Sequence, residues 1–332
     1  MRAVLIGAFL LTFVLLLGFF NATKPRIMVL HSGSRDSPWV QQVDGGMRLA
    51  LDENRRPVSV EWTYMGIASP ASPRNADEAA AEAHRAVDRF KPDVLIAVDD
   101  EANELVAQDY VGRKSPRILY VSIDRPPAAY GYPLAPNVSG IAERMPWTAV
   151  RDALLLIFPG HAPTVSVLGV DSLTEQAELA QIKAADWGPV RIGEASLVTT
   201  GGAWRDAVIR ANGDALIELG THDLPDGEGV FSAAEASRWT QENSRPLPIG
   251  TQVDFVPDGG ALSLSPPPDD VGEKAIRLAL DWLDARATPG PPPAVDSSHF
   301  EVAVREGALV RRGITLPQIY LESARENGTL LP

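Results

Sequence analysis

The polar residues able to do chemistry sit in short groups, each just after an apolar run. They are His31 and Ser32 with Trp39 close behind, Asp99 and Asp100, Ser122 and Asp124, Asp171 and Ser172, Thr221 and His222, and Thr251 with Asp254. Carboxylates in this number suit a ligand carrying an ammonium, and Trp39 could stack on a ring or face a cation. The same residue types have structural uses. Asp and Ser after a strand are frequent helix caps, His31 could be a hydrogen-bonded packing residue, and Trp39 could be core. His31, Ser32 and Asp99 can be drawn as a triad, but neighbours in sequence do not make catalytic geometry. No G-x-S-x-G, G-x-x-x-x-G-K-[ST], G-x-G-x-x-G or H-E-x-x-H motif occurs. The five histidines lack metal-ligand spacing. Neither a catalytic residue, a cofactor nor a metal is expected.

The chain has 332 residues, 45% of them hydrophobic and 22% charged, which excludes a wholly disordered protein. Thirty Lys and Arg against 43 Asp and Glu give a net charge of −13. That is a poor surface for nucleic-acid phosphates, so no nucleic-acid partner is expected. The absence of cysteine excludes thiol nucleophiles, disulfides and zinc–thiolate sites.

Ala3 to Phe20 is an uncharged, apolar run of 18 residues, long enough for a membrane span and longer than the usual signal-peptide core. Cleavage after Ala22 would put Phe20 where a small residue is wanted. These rules favour an uncleaved anchor over a cleaved signal. Positive charges flank both ends, so they do not set an orientation.

Beyond residue 23 the hydrophobic pattern alternates between two periods. Short β-branched runs (Ile27–His31, Val58–Tyr64, Val94–Val98, Ile118–Ile123) are separated by helical stretches. Ser37-Pro38 opens one helix and Asn75, with Asp77 and Glu78, opens the next. The pattern restarts after Asn137–Gly140 with a helix from Trp147 and strands at Thr164–Val170, Val190–Val198, Ala215–Leu219 and Leu247–Thr251. Capping boxes begin at Ser172 and Ser232. Strands apolar on both faces and alternating with helices imply parallel sheets covered on both sides, hence an α/β, doubly wound protein in two halves. A last amphipathic helix is expected from Asp269 through Ala287, followed by a stiff connector at Pro289–Pro293.

Several stretches resemble one family. Phe90-Lys91-Pro92-Asp93 leading into Val94–Val98 is similar to the helix, K-P-D, strand element of periplasmic substrate-binding proteins. Ile118–Asp124 followed by Asn137-Val138-Ser139-Gly140-Ile141 resembles its strand and N-V-[ST]-G hinge crossing. Gly307–Pro317 resembles its closing A…G-I-T-[IL]-P segment, and Val29–Ser32 with Pro38-Trp39 resembles the start of related extracytoplasmic domains. The family is the ABC-type substrate-binding group that includes binders of aromatic amino acids. The resemblance implies a type I periplasmic-binding-protein fold, with two Rossmann-like lobes, a three-crossing hinge and a ligand closed between the lobes. On that basis residues 1–23 form the transmembrane anchor or signal segment. Residues 24–140 plus 265–290 form lobe 1, and 141–264 plus 291–332 form lobe 2. Hinge crossings are expected near Asn137–Gly140, Thr251–Asp254 and Ser263–Pro268.

In a doubly wound sheet, ligands sit beyond the carboxyl ends of the strands. All the polar groups named at the outset fall there, and they are the expected ligand-binding residues. One departure from the family matters: Asp99-Asp100-Glu101 stands where small residues are usual, which argues against a plain carboxylate ligand. The expected function is extracytoplasmic binding of a small polar solute for an ABC permease, amine-bearing solutes and aromatic amino acids leading. A membrane-tethered sensing or accessory subunit is the alternative, and a hydrolase is ranked behind both. The expected location is the periplasmic side, held at the inner membrane by the N-terminal segment, or free in the periplasm if that segment is cleaved.

Overall fold

The computed structural model describes residues 2–67, 71, 72, 74–142, 144–284, 290–296 and 299–332. Helix α1 (Arg2–Thr23) runs for 22 residues. Its described apolar side chains, such as Phe9, Leu11 and Leu15, are exposed. Several of its other side chains lie outside the described set, and among the described residues no helix is long and apolar enough to cross a membrane.

The first lobe contains β1 (Arg26–His31), α2 (Pro38–Glu53), β2 (Ser59–Tyr64), α3 (Ala76–Phe90), β3 (Val94–Val98), the short α4 (Asp100–Leu105), β4 (Arg117–Ile123) and β5 (Val138–Ala142). The second lobe follows with α5 (Trp147–Ile157), β6 (Thr164–Val170), α6 (Leu173–Ala184), β7 (Arg191–Val198), α7 (Gly201–Arg210) and β8 (Ala215–Glu218). It continues through a hairpin of β9 (Leu224–Asp226) and β10 (Gly229–Phe231), then α8 (Ala233–Asn243), β11 (Leu247–Gly250) and β12 (Leu262–Ser265). Helix α9 (Pro268–Leu283) and β13 (Val295–Asp296) return to the first lobe. The second is completed by β14 (Glu301–Arg305), α10 (Glu306–Arg311), α11 (Gln318–Glu326) and β15 (Leu330–Leu331).

The first sheet has the order β13-β5-β4-β3-β1-β2 and is parallel throughout. The second runs β15-β14-β12-β11-β8-β6-β7, with β14 antiparallel to β12. Val94 to Val98 are all buried, as a strand covered on both faces must be. Helix α3 starts where Asn75 accepts from the Glu78 amide at 3.1 Å, and its Ala79, Ala83, Ala86 and Val87 face the core. Lys91 turns left-handed at φ 52° and releases the chain into β3.

Helices α2 and α9 cross at glycines. A Cβ on Gly46 would stand 1.8 Å from the Asp269 carbonyl oxygen, and one on Gly272 would stand 2.1 Å from that of Val43. This close approach seats the late helix α9 in the early lobe. The helix expected to reach Ala287 stops at Leu283; residues 285–289, and with them Pro289 of the expected connector, lie outside the described residues.

Two of the three crossings differ from the expected ones. Asn137–Gly140 leads into and forms part of the core strand β5. Asn137 is a buried brace, its amide donating to the carbonyls of Tyr110 and Pro116 and its oxygen accepting from the Gly112 amide. Gly140 lets β5 pass Tyr120, whose backbone oxygen would lie 2.2 Å from a Cβ there. Thr251–Asp254 is a turn between β11 and β12 within the second sheet. The chain instead crosses after Ala142 and between β13 and β14, while its crossing at Pro266-Pro267 falls within the expected Ser263–Pro268. Residues 141–142 and 295–296, expected in lobe 2, pair with each other in the first sheet, where β13 covers what would be an open edge of β5.

Candidate ligand-binding site

The carboxyl ends of strands from both sheets open onto one cavity of about 340 Å³. Asp99 and Ser122 enter it side by side, because Val98 pairs with Val121. Both have left-handed backbones, φ 76° at Asp99 and 51° at Ser122. With ψ at 166°, Asp99 occupies a region otherwise almost reserved for glycine. Strain of this kind persists only where surroundings enforce it, and it clusters at ligand clamps.

Asp99 Oδ1 accepts from the Asp100 amide at 2.8 Å and from the Thr174 hydroxyl, across the cleft, at 3.0 Å. Burial, with Asp100 alongside, pushes its carboxyl up to about 6. Glu101 is shifted further. Burial and the neighbouring Asp99 push it to about 8, and its buried Oε2 has no hydrogen-bond partner. The Ser122 hydroxyl, in a residue only 3% exposed, is likewise without a partner. Asp124 receives the Gln181 amide at 3.0 Å, a second bond between lobes.

From the second lobe come Ser172, Thr221, His222 and Asp254. Ser172 caps α6 by accepting from the Glu175 amide. His222 Nε2 stands 3.3 Å from Glu175 Oε1. Burial alone would lower the imidazole, but Glu175, then Asp99 and Glu101, outweigh it and bring it to about 9. Burial raises Asp254. Trp39, half-buried at the start of α2, supplies the aromatic wall.

Eight of the thirteen expected residues thus line the cavity, and five do not. His31 is fully buried behind it, bonded through Nε2 to Asp44 at 2.9 Å and stacked on Tyr64. Ser32 is used by the backbone, donating to the Val98 carbonyl and accepting from the Ala102 amide. Asp100 braces α4 to the next strand end, accepting from the amides of Asp124 and Arg125 and from the Tyr130 hydroxyl. Asp171 faces solvent and holds Gln176. Thr251 is buried beside β8, its amide bonded to the Glu218 carbonyl. The triad of His31, Ser32 and Asp99 is therefore not assembled. Sequence reasoning missed Asp36, Glu175 and Asp223 as lining residues. Glu175 was hidden because Ser172-Leu173-Thr174-Glu175 reads as a capping box, which accounts for a glutamate without invoking a ligand. In the structure the box is not closed, since the Ser172 amide goes to the Val170 carbonyl and Glu175 turns to His222. Among the described residues no group of three or more His, Asp or Glu side chains could hold a metal ion.

No family model and no curated protein matches this sequence. Solved structures do match its shape. An ABC domain from Streptococcus pneumonia, crystallised with L-Trp, superposes at a TM-score of 0.69 with 15% identity, covering 91% of this chain and 98% of that one. A conserved domain protein from Vibrio cholerae gives 0.66 at 15% identity over 93% of this chain and all (100%) of its own. A glucose-galactose binding protein from Geobacillus stearothermophilus gives 0.60 at 15%, covering 85% and 98%. The fold is that of the type I periplasmic binding proteins. At these identities the likeness extends to the fold and no further.

Proposed function

We propose that this protein is an extracytoplasmic solute-binding protein of an ABC-type uptake system, taking a small amine-bearing solute between its lobes. The observation that carries the reading is a cleft at the strand ends of both sheets that holds two unpartnered buried acceptors, Glu101 Oε2 and Ser122 Oγ, with Trp39 as a wall. An ammonium has three donors and no acceptor, which suits such a site. Neighbours of this fold bind L-Trp and hexoses by their descriptions, which supports a small-ligand role and a permease as partner. Binding is favoured over catalysis because neighbours of this fold are described as solute-binding proteins. The uncharged apolar run Ala3–Phe20 is the proposed tether to the inner membrane, with the globular part on the periplasmic face. That tether also favours a second reading, a sensing or accessory subunit of the same fold.

Thermal-shift measurement on the full chain, with amino acids, amines, sugars and phosphate esters as probes, tests the proposal. An amine that raises the melting temperature is expected, since a ligand of the folded state stabilises it. A response confined to phosphate esters or dicarboxylates would refute it. Co-purification with a permease and its ATPase, rather than with a histidine kinase, separates transport from sensing.

A further inference from the structure

We infer that the cleft takes an organic amine lacking a carboxylate, with its ammonium between Glu101 and Ser122 and its apolar part against Trp39. This rests on the reading of the cavity as a solute site and narrows it.

The argument starts from charge. Seven carboxyl side chains line the cavity, and among the described lining residues there is no Arg or Lys. The one imidazole, His222, already faces Glu175 at 3.3 Å. A ligand carboxylate leaving water needs replacement donors, and charge-assisted pairs or helix amides are the usual source. Here this chain's own side chains hold most of those places. Asp99 takes the first amide of α4, Ser172 caps α6, and Asp223 accepts from the Ala233 amide that opens α8 at 3.1 Å. Helix α2 begins without a side-chain cap, but its first residue is Pro38, which has no N–H, and Asp36 lines the cavity beside it.

The acceptors are arranged the opposite way. Glu101 Oε2 and Ser122 Oγ are buried and unpartnered, and Ser122 is 97% buried on a backbone bent to φ 51° to reach the cleft. Burial with Asp99 alongside raises the Glu101 carboxyl, as expected of a carboxylate short of a cation. A zwitterion would satisfy that end while bringing a second charge into an acid-lined space. A simple amine brings only the charge the site lacks.

Three probes differing by one group decide it: tryptamine, L-tryptophan and indole-3-acetate, titrated calorimetrically into the full chain at pH 7. Tryptamine binding at least tenfold more tightly than L-tryptophan, with indole-3-acetate weakest, is the expected order. L-tryptophan binding as tightly as tryptamine would overturn this inference and leave the amine-binding proposal standing. Tightest binding of indole-3-acetate, or no binding by any of the three, would overturn both. Glu101→Gln and Ser122→Gly should each weaken tryptamine at least about tenfold with the melting temperature held or raised. The glycine variant suits the positive φ, and a melting temperature that holds shows that lost affinity there is not lost folding. Unchanged tryptamine affinity in both variants would likewise reject the proposed seat.

Discussion

The hydroxyl of Thr174, on the second lobe, donates to Asp99 Oδ1 on the first at 3.0 Å and approaches Asp100 Oδ2 at 3.3 Å. One side chain of α6 is thereby tied to the strained end of β3. Gln181, two turns further along α6, repeats the contact on Asp124. The faces that enclose the cavity also hold the lobes together, so Asp99 and Asp124 both line the cavity and join the lobes. Thr174→Val removes that donor at nearly constant volume. Small-angle scattering of the unliganded full chain should then show a larger radius of gyration than wild type. An identical profile would mean that Thr174 has no part in closure.

Stability should fall as pH rises from about 5 to about 9. Asp99 and Glu101 titrate near 6 and 8 when folded, against ordinary values near 4, and Glu218 near 7. The folded state therefore keeps protons that the unfolded chain has released, which lowers stability with rising pH across that window. His222, raised to about 9, acts in the same direction from about 6.5 upward. A drop in melting temperature on the order of 5 °C between pH 5.5 and 9 is expected from differential scanning calorimetry. Glu101→Gln should flatten the slope. A rise in melting temperature over that range would contradict the assignment.

Glu218 isolates one of these groups away from the cleft. It lies on β8, 1% exposed, with Oε1 accepting from the Ser237 hydroxyl at 2.9 Å and Oε2 unpartnered. Glu218→Gln should cost little at pH 5.5, where the native acid is neutral, and should stabilise relative to wild type at pH 9. Chemical denaturation at the two pH values checks this. A larger loss at pH 9 than at pH 5.5 would mean that the carboxylate form is the one the fold prefers.

Gly46→Ala tests the α2–α9 contact. The new methyl would meet the Asp269 backbone, which cannot move aside as a side-chain tip can. Overpacking of this kind costs about 1–3 kcal/mol or more. Gly45→Ala, one residue earlier with nothing within 4 Å of its Cβ, is the control and should be neutral or slightly stabilising.

Strands, caps and the two-lobed plan were readable from the sequence because each has a local signature. Val94–Val98 is an uninterrupted apolar run, Thr164–Val170 is broken only by Ser166 and Gly169 after its first residue, and Asn75 and Ser232 each stand just before acids in the first turn of their helices. The first crossing was misplaced because Asn137 and Gly140 look like loop residues. Their demands, a side-chain brace and room for Tyr120, come from distant strands. The same blindness split the candidate site. Asp99 and Asp100 are adjacent and chemically alike, yet the reversed backbone at Asp99 turns one toward the cleft and the other into the lobe. Nothing at two neighbouring aspartates distinguishes those roles without the fold.

The late arrival of α9 has a consequence for the order of events during synthesis. Arg56, just beyond α2, pairs with Asp284, just beyond α9, across 228 positions of chain. At the usual elongation rates that interval lasts roughly ten to fifty seconds. Throughout it, the apolar residues Val43 and Met47, which α9 covers in the finished lobe, have no permanent cover. The emerging polypeptide therefore remains without one wall of its first core until about five-sixths of it exists.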